Sequence, residues 1–411
     1  MAGTTRVVDQ EIGEKAERLA LGPSRQISID AFRAVVMVLM IFCNDLGTLQ
    51  GIPGWLLHTE AQEDGMGFSD VIFPAFLFIV GLSIPLAVQS RRRRGDATAT
   101  IAGHIGLRAL ALLVMGFFHV NLGSYSPEAL LPRPIWAILI TVAFFLVWLD
   151  YPKDASRKYP WVLKAVGVLL LAVLAALYKG HSAEGTVWMR PQWWGILGMI
   201  GWAYLLGGLV YLFSKGQIGA LVGGMLFFLA FNSAAHLGWL EPLAGVKAYV
   251  WIIGDGCMPA LTMAGVVTTW FYQRHPLNQK AFWVYALAAA AGWLAFGFMT
   301  RPVWEISKIR ATPSWTAICA GISLLCFAGM VYLTDVKGIK KWYRLVQPAG
   351  TSTLTCYLIP YLHMGLVAYL SFRLPEGMRT GVLGLVKSLG FALLVVLVVW
   401  LLGRRGIRLK L

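Results

Sequence analysis

Apolar stretches of about twenty residues recur along the whole chain, separated by short polar segments, and each is long enough to cross a bilayer as a helix. The pattern predicts spans near 29–50, 68–90, 101–121, 134–150, 161–178, 192–213, 217–235, 248–272, 281–300, 314–334, 348–371 and 381–402, about twelve in all. A transmembrane β-barrel would instead alternate polarity over segments of about ten residues. The expected fold class is therefore an all-α polytopic membrane protein, a bundle of about twelve transmembrane helices with both termini cytoplasmic. Residues 1–26 read as a cytoplasmic tail, carrying Glu11, Glu14, Lys15, Glu17 and Arg18 where a cleaved signal would be basic and then apolar. Residues 27–411 read as one transmembrane domain, with no long hydrophilic insert and no low-complexity tract.

Charge placement sets the expected orientation. Arg91–Arg94, Lys153, Arg157 and Lys158, Lys215, Arg274 and Lys280, Lys337 to Arg344, and Arg404 to Lys410 all fall in alternate connections, which the positive-inside bias puts in the cytoplasm. The connection holding His58 then faces outward, as do the scattered cations Arg133, Arg190, Lys308, Arg310 and Arg379. Trp55, Trp188, Trp193, Trp194, Trp239, Trp304 and Trp315 cluster near span ends, where amphipathic rings favour the interface.

Composition agrees with that picture. Of the 411 residues 58% are hydrophobic and 13% charged, with mean hydropathy +0.66, too little charge to cover a soluble domain of this size. The net charge of +15 reports orientation here and not a nucleic-acid partner. Cys43, Cys257, Cys319, Cys326 and Cys356 lie in or beside apolar spans without CxxC or CxxH spacing, so neither a metal site nor a disulfide framework is expected. GxxxxGK[ST] is absent, which removes a simple ATP-driven pump.

Polar groups inside spans are costly in lipid, and each is a site candidate with helix–helix hydrogen bonding as the plainer reading. Asp30 and Arg33 are three apart on one helix face, either a structural ion pair or part of a ligand site. Asn44 lies deep enough in the first span to need a partner. His58 sits in a loop with Glu60, Glu63 and Asp64, and Asp70 opens the next span. A neutral-range imidazole with a carboxylate to orient it is a general base, a solvated loop histidine being the plainer reading. Asp70 after Ser69 also suits a helix cap. His104 and Arg108 share a face near the inner surface, for lipid headgroups or for a phosphate-bearing ligand. Further candidates are His119, Asn121, Asn232, His236, Asp255, Tyr357 and His363.

"SIDAFRAVVMVLMIFCND", then "LLHTEAQEDGMGFSDVIFPAFLFIVGLSI", resembles the opening of the heparan-α-glucosaminide N-acetyltransferase family, and the likeness continues through "GLRALALLVMGFFHVN", "WGILGMIGWAYL", "PSWTAICAGISLL" and "LTDVKGIKKWYRLVQPAGTSTLTCYLIPYLH". The resemblance covers roughly residues 27–411, and the first block is its most specific part. It implies transfer of the acetyl group of cytoplasmic acetyl-CoA to the amino group of a glucosamine-type sugar on the far side of a bacterial cytoplasmic membrane, by a homodimer without metal. By that resemblance His58 matches the catalytic histidine and Asn44 the asparagine close to the acetyl group. A thioester needs no metal for aminolysis: His58 takes the amine proton, Asn44 donates to the oxyanion, and Asp70 holds the His58 tautomer. An acetyl-imidazole on His58 is the alternative route. The inner end of the coenzyme A site is expected at Asp30, Arg33, His104 and Arg108.

The chain departs from the family at Ala34, where the family has Gly, and in the segment after His58, which lacks the family Trp and is longer. It also departs at Gly195–Met199, where an Arg is lost, and at Ser352 or Thr353, where the family has Asn. These changes bear on the acceptor more than on the donor. Two rival classes remain: an O-acyltransferase of envelope polysaccharide, told apart by a hydroxyl acceptor, and a secondary transporter with Asp255, Arg108 and His104 on its path, told apart by flux without coenzyme A.

Overall fold

The computed structural model describes residues 26–151, 158–183, 185–247, 249–250, 255–275, 277 and 280–411. The expected tail therefore lies almost wholly outside the described residues. The elements run α1 (Ile27–Leu46), α2 (Ser69–Arg93), α3 (Thr98–Val120), α4 (Arg133–Trp148), α5 (Lys158–Ala176), β1 (Gly180–Ser182), β2 (Gly185–Val187), α6 (Gly195–Phe213), α7 (Ile218–His236), the single turn α8 (Ala244–Lys247), α9 (Cys257–Arg274), α10 (Lys280–Trp304), α11 (Pro313–Val331), α12 (Tyr343–Thr351), α13 (Thr353–Tyr369) and α14 (Gly381–Arg404). The two strands form a small antiparallel hairpin.

Among the described residues nine helices are long and apolar enough to cross a membrane, and α4 is a shorter apolar helix. The protein is a multi-pass helical membrane protein. A helix falls within each of the expected segments, with two differences of detail. α9 starts at Cys257 and not near 248, because Gly256 immediately before it takes a left-handed φ of 73°, outside the helical region. The segment expected at 348–371 is two helices, broken where Ser352 takes φ −127° and ψ 45°.

Burial separates centre from rim. In α1 and α2 two thirds of the apolar window (67%) is buried inside the protein, against 17% in α5 and α7, so α1 and α2 lie at the centre and the latter pair at the rim. α2 packs directly on α9: a Cβ at Gly81 would run into the Thr262 carbonyl, and one at Gly265 into the Phe78 carbonyl. Small residues at such crossings let backbones approach, which is how helices gain packing energy where lipid removes the hydrophobic drive.

The two ends of the bundle are tied separately. At one end Tyr272 donates to Asp335 at 2.6 Å, the Gln89 and Gln273 amides bond reciprocally at 2.9 and 3.1 Å, and Asp150 meets Arg408 at 3.1 Å. The cation runs Arg91–Arg94, Lys337–Arg344 and Arg404–Lys410 belong to this end. At the other end the α1–α2 loop pairs with the α10–α11 loop through Gly65 N–H to the Ile306 carbonyl at 2.9 Å.

Candidate active site

The α1–α2 connection is held against the start of α2 by two bonds and tightened by a turn of its own. Phe68 N–H donates to the Trp55 carbonyl at 2.7 Å, the Ser69 hydroxyl to the Leu56 carbonyl at 2.6 Å, and Leu57 N–H closes a 3₁₀ turn on Gly54 at 2.9 Å. Gly67 is required there, since a Cβ would strike the Leu57 carbonyl. This fold-back sets His58 beside the first turn of α2.

Asp70 is fully buried and accepts three hydrogen bonds: from His58 Nδ1 at 2.7 Å, from Gly67 N–H at 2.9 Å and from Thr59 N–H at 3.1 Å. It is not the helix cap. Phe68 stands at the N-cap without a side-chain cap bond, and Asp70 lies inside the first turn with its oxygens directed back to the loop. Because a carboxylate only accepts, the imidazole proton facing it is on Nδ1, and the lone pair is left on Nε2. The His58 side chain is 46% exposed, so Nε2 belongs to a ring that outside molecules can reach.

Lys308, from the α10–α11 loop, completes the cluster. Its Nζ is 3.0 Å from His58 Nδ1, 3.3 Å from Nε2 and 3.6 Å from Asp70 Oδ1. With Nδ1–H committed to Asp70, the ammonium can donate only to Nε2 and to the carboxylate, whatever the shorter distance to Nδ1 suggests. Burial pushes Lys308 below the usual lysine value of 10.5, against the pull of Asp70. The loop is fixed by Asp64, which accepts from Ile306 N–H at 2.8 Å and pairs with Arg301 at 2.9 Å. The Ile306 amide, with Arg301, holds the Asp64 carboxyl below 3.8. From the far side the His236 ring lies 2.9 Å from the Arg310 carbonyl, and Asn232 donates to the Ala311 carbonyl at 3.0 Å.

Asn44 is not joined to this cluster. It is exposed, with no hydrogen bond to the His58 group among the described residues, although its neighbour Cys43 sits beside Ser69. The remaining candidates divide. Arg33 pairs with Asp30 at 2.8 Å and also donates to Ser83 at 2.6 Å and to the Gly350 carbonyl at 3.1 Å, binding α1, α2 and α12 together. Arg33 also lines a cavity of about 300 Å³ with Arg108, Tyr204, Met40, Phe76 and the Gly350–Leu354 break. Asp30 is not among the residues lining it. A second cavity, about 510 Å³, shares Ala87, Arg108, Tyr204 and Leu411 with the first and adds Arg91, Arg94, His104 and Lys410. Arg108 stacks over Tyr204 at 4.9 Å. Among the described residues no carboxylate pairs with Arg94 or Arg108, while Arg33, Arg91 and Lys410 are paired with Asp30, Asp96 and Asp150, so the cationic character of this hollow rests on Arg94 and Arg108.

Asn121 is a staple, joining Phe117 and Arg190 by bonds of 2.7, 2.9 and 3.1 Å. His119 stacks on Tyr361 at 4.0 Å, Tyr357 meets Tyr361 at 3.0 Å, and His363 packs on Phe391 at 4.7 Å, all apart from the His58 cluster. Asp255 lies 3.9 Å from Lys247. No group of His, Cys, Asp or Glu among the described residues is placed to hold a metal ion.

Fold and site together define a polytopic helical membrane protein with a buried carboxylate, a histidine and a lysine gathered at one end and a cationic hollow toward the other. The family profile "Domain of unknown function (DUF5009)" matches residues 25–241, more than half of the chain, and the protein belongs to that family. It is similar to heparan-alpha-glucosaminide N-acetyltransferase of Homo sapiens, 33% identical over 117 residues, 28% of this chain and 17% of that protein. The Mus musculus protein of the same name is 28% identical over 176 residues, 38% of this chain and 26% of its own length. An uncharacterized MFS-type transporter, YfiU of Bacillus subtilis (strain 168), is 24% identical over 297 residues, 61% of this chain and 54% of its own. The matches thus span between about a sixth and about half of the relatives.

Proposed function

We propose that the protein is an acetyl-CoA-dependent N-acetyltransferase that moves an acetyl group across the membrane to the amino group of a glucosamine-type sugar. The observation that carries this reading is the 2.7 Å His58–Asp70 pair at the end of the bundle opposite the cationic hollow. The likeness to two proteins named heparan-alpha-glucosaminide N-acetyltransferase supports it.

On this reading the chain crosses twelve times with both ends in the cytoplasm of a bacterium, as a homodimer in the cytoplasmic membrane. The coenzyme A phosphates lie on Arg94, His104 and Arg108, and the pantetheine arm enters the cavity past Arg33 toward Met40 and Phe76. At 1.5 Å per residue Met40 is about 6 Å along α1 from Asn44, and Phe76 about 9 Å along α2 from Asp70. The acetyl end therefore has a short path left to the His58 group. There His58 Nε2 takes the proton of the attacking amine, Asp70 steadies the imidazolium, and the proton passes to the departing thiolate. Asn44, exposed and one turn beyond Met40 on α1, donates to the carbonyl oxygen.

The test is purified protein in detergent with acetyl-CoA and glucosamine, following thiol release and N-acetylglucosamine by mass. Transfer to a glycan hydroxyl with glucosamine left untouched would mark an O-acyltransferase. One observation favours a second class: the likeness to an MFS-type transporter extends over 61% of the chain. A transporter would move substrate through reconstituted vesicles without consuming acetyl-CoA.

A further inference from the structure

Lys308 has no role in the reaction just proposed, yet its ammonium occupies the place an acceptor amine would need. It stands 3.3 Å from His58 Nε2 and 3.6 Å from Asp70 Oδ1, on a side chain only 24% exposed. The other charged groups around His58 are Asp70 on α2, Glu60 and Glu63 in its own loop, the Asp64–Arg301 pair and the Arg310–Glu305 pair, with the thiols of Cys43 and Cys319 from α1 and α11. Asp64 and Glu305 already have cationic partners, and Lys308 alone of these amines and guanidiniums reaches the ring.

We infer that Lys308 is itself an acetyl acceptor, modified on Nζ by the protein's own His58 when acetyl-CoA is bound and no sugar amine displaces it. The inference rests on the acetyltransferase reading. Starting from the ammonium, one proton is first released to water. The neutral amine then attacks the acetyl carbonyl carbon, the tetrahedral adduct gives its nitrogen proton to His58 Nε2, the C–S bond breaks, and the thiolate takes that proton. The products are Nζ-acetyl-Lys308, coenzyme A thiol and neutral His58. Burial, by holding Lys308 below 10.5, enlarges the neutral fraction this step consumes. Acetylation removes the cation beside Asp70, so the modified protein presents a different charge to an incoming sugar.

The full chain in detergent is incubated with acetyl-CoA and no sugar, and acetyl-lysine is mapped by peptide mass spectrometry in the parent, His58→Ala and Asp70→Asn, each checked for a monodisperse fold. The expected result is acetylation concentrated at Lys308, with exposed Lys340 as the chemical background, lowered by roughly 100-fold in His58→Ala and suppressed by added glucosamine. Acetylation of Lys308 at the same level in His58→Ala would mark plain chemical acylation and overturn the inference. An unmodified Lys308 in protein that does acetylate glucosamine would overturn it while the acetyltransferase reading stands. If neither Lys308 nor glucosamine gains acetyl, both fall.

Discussion

His58 Nδ1 and Asp70 Oδ1 stand 2.7 Å apart, joining a half-exposed ring to a carboxylate with no exposed surface. Twelve residues of sequence separate them, and the pair exists because the loop folds back through Phe68 and Ser69 onto Trp55 and Leu56. Asp70→Asn offers one acceptor and one donor where three donors converge, so it leaves a buried group unsatisfied at a cost of about 1–3 kcal/mol. It also frees the imidazole to take the other tautomer. Acetyl transfer should fall by roughly 100-fold or more while acetyl-CoA binding is kept. Steady-state kinetics alongside a binding isotherm check this, and an unchanged kcat would remove Asp70 from the site.

Arg108 lines both cavities, stacked on Tyr204. Arg108→Ala should raise the KM for acetyl-CoA about tenfold, a loss of about 1.4 kcal/mol, with kcat little altered, because a phosphate contact far from the acetyl group binds ground and transition states alike. A fall in kcat at constant KM would place Arg108 in the chemistry instead.

Asp64 clips the histidine loop to the lysine loop, and the Ile306 amide and Arg301 hold its carboxyl below 3.8. A carboxyl lowered on folding stabilises the folded loop above its unfolded value. That contribution is lost as pH falls below 3.8 toward the folded value. Asp64→Asn should mimic the acid state at neutral pH, raising hydrogen exchange in residues 59–67 and 305–312 together. Exchange confined to one loop would contradict the clip.

Gly81 and Gly265 face the Thr262 and Phe78 carbonyls across the α2–α9 contact. Gly265→Ala forces the two backbones apart and should cost roughly 1–3 kcal/mol, read as a lower melting temperature in detergent. Because α2 carries Asp70, activity per folded molecule should fall too.

Helices were legible in the sequence because a span must be long and apolar, so length and hydropathy alone mark it. The break at Ser352 was not: it lies in the small and polar stretch 350–353, and since such residues also occur inside membrane helices, composition does not mark the turn of the backbone there. His58 and Asp70 could be singled out as residue types close in sequence beside a span. Lys308 could not: it lies 250 residues from His58, in a loop whose cations look like ordinary solvated charge, and bonds between the two loops, through Asp64 and through Gly65 to Ile306, bring it to the ring. Asn44, singled out by its depth in the first span and given its role by resemblance, has no bond to the cluster among the described residues. Arg33 shows a third situation, a spacing that gave its ion pair with Asp30 but no hint that Ser83 and Gly350 would share it.

The most direct test of the central claim is acetyl transfer from acetyl-CoA to glucosamine by the purified protein, compared with His58→Ala folded to the same melting temperature. Thiol release matched by N-acetylglucosamine in the parent, and lowered by roughly 100-fold or more in the variant, is the result expected of a general base. Equal rates in parent and variant, or vesicle transport of substrate with no thiol released, would contradict it.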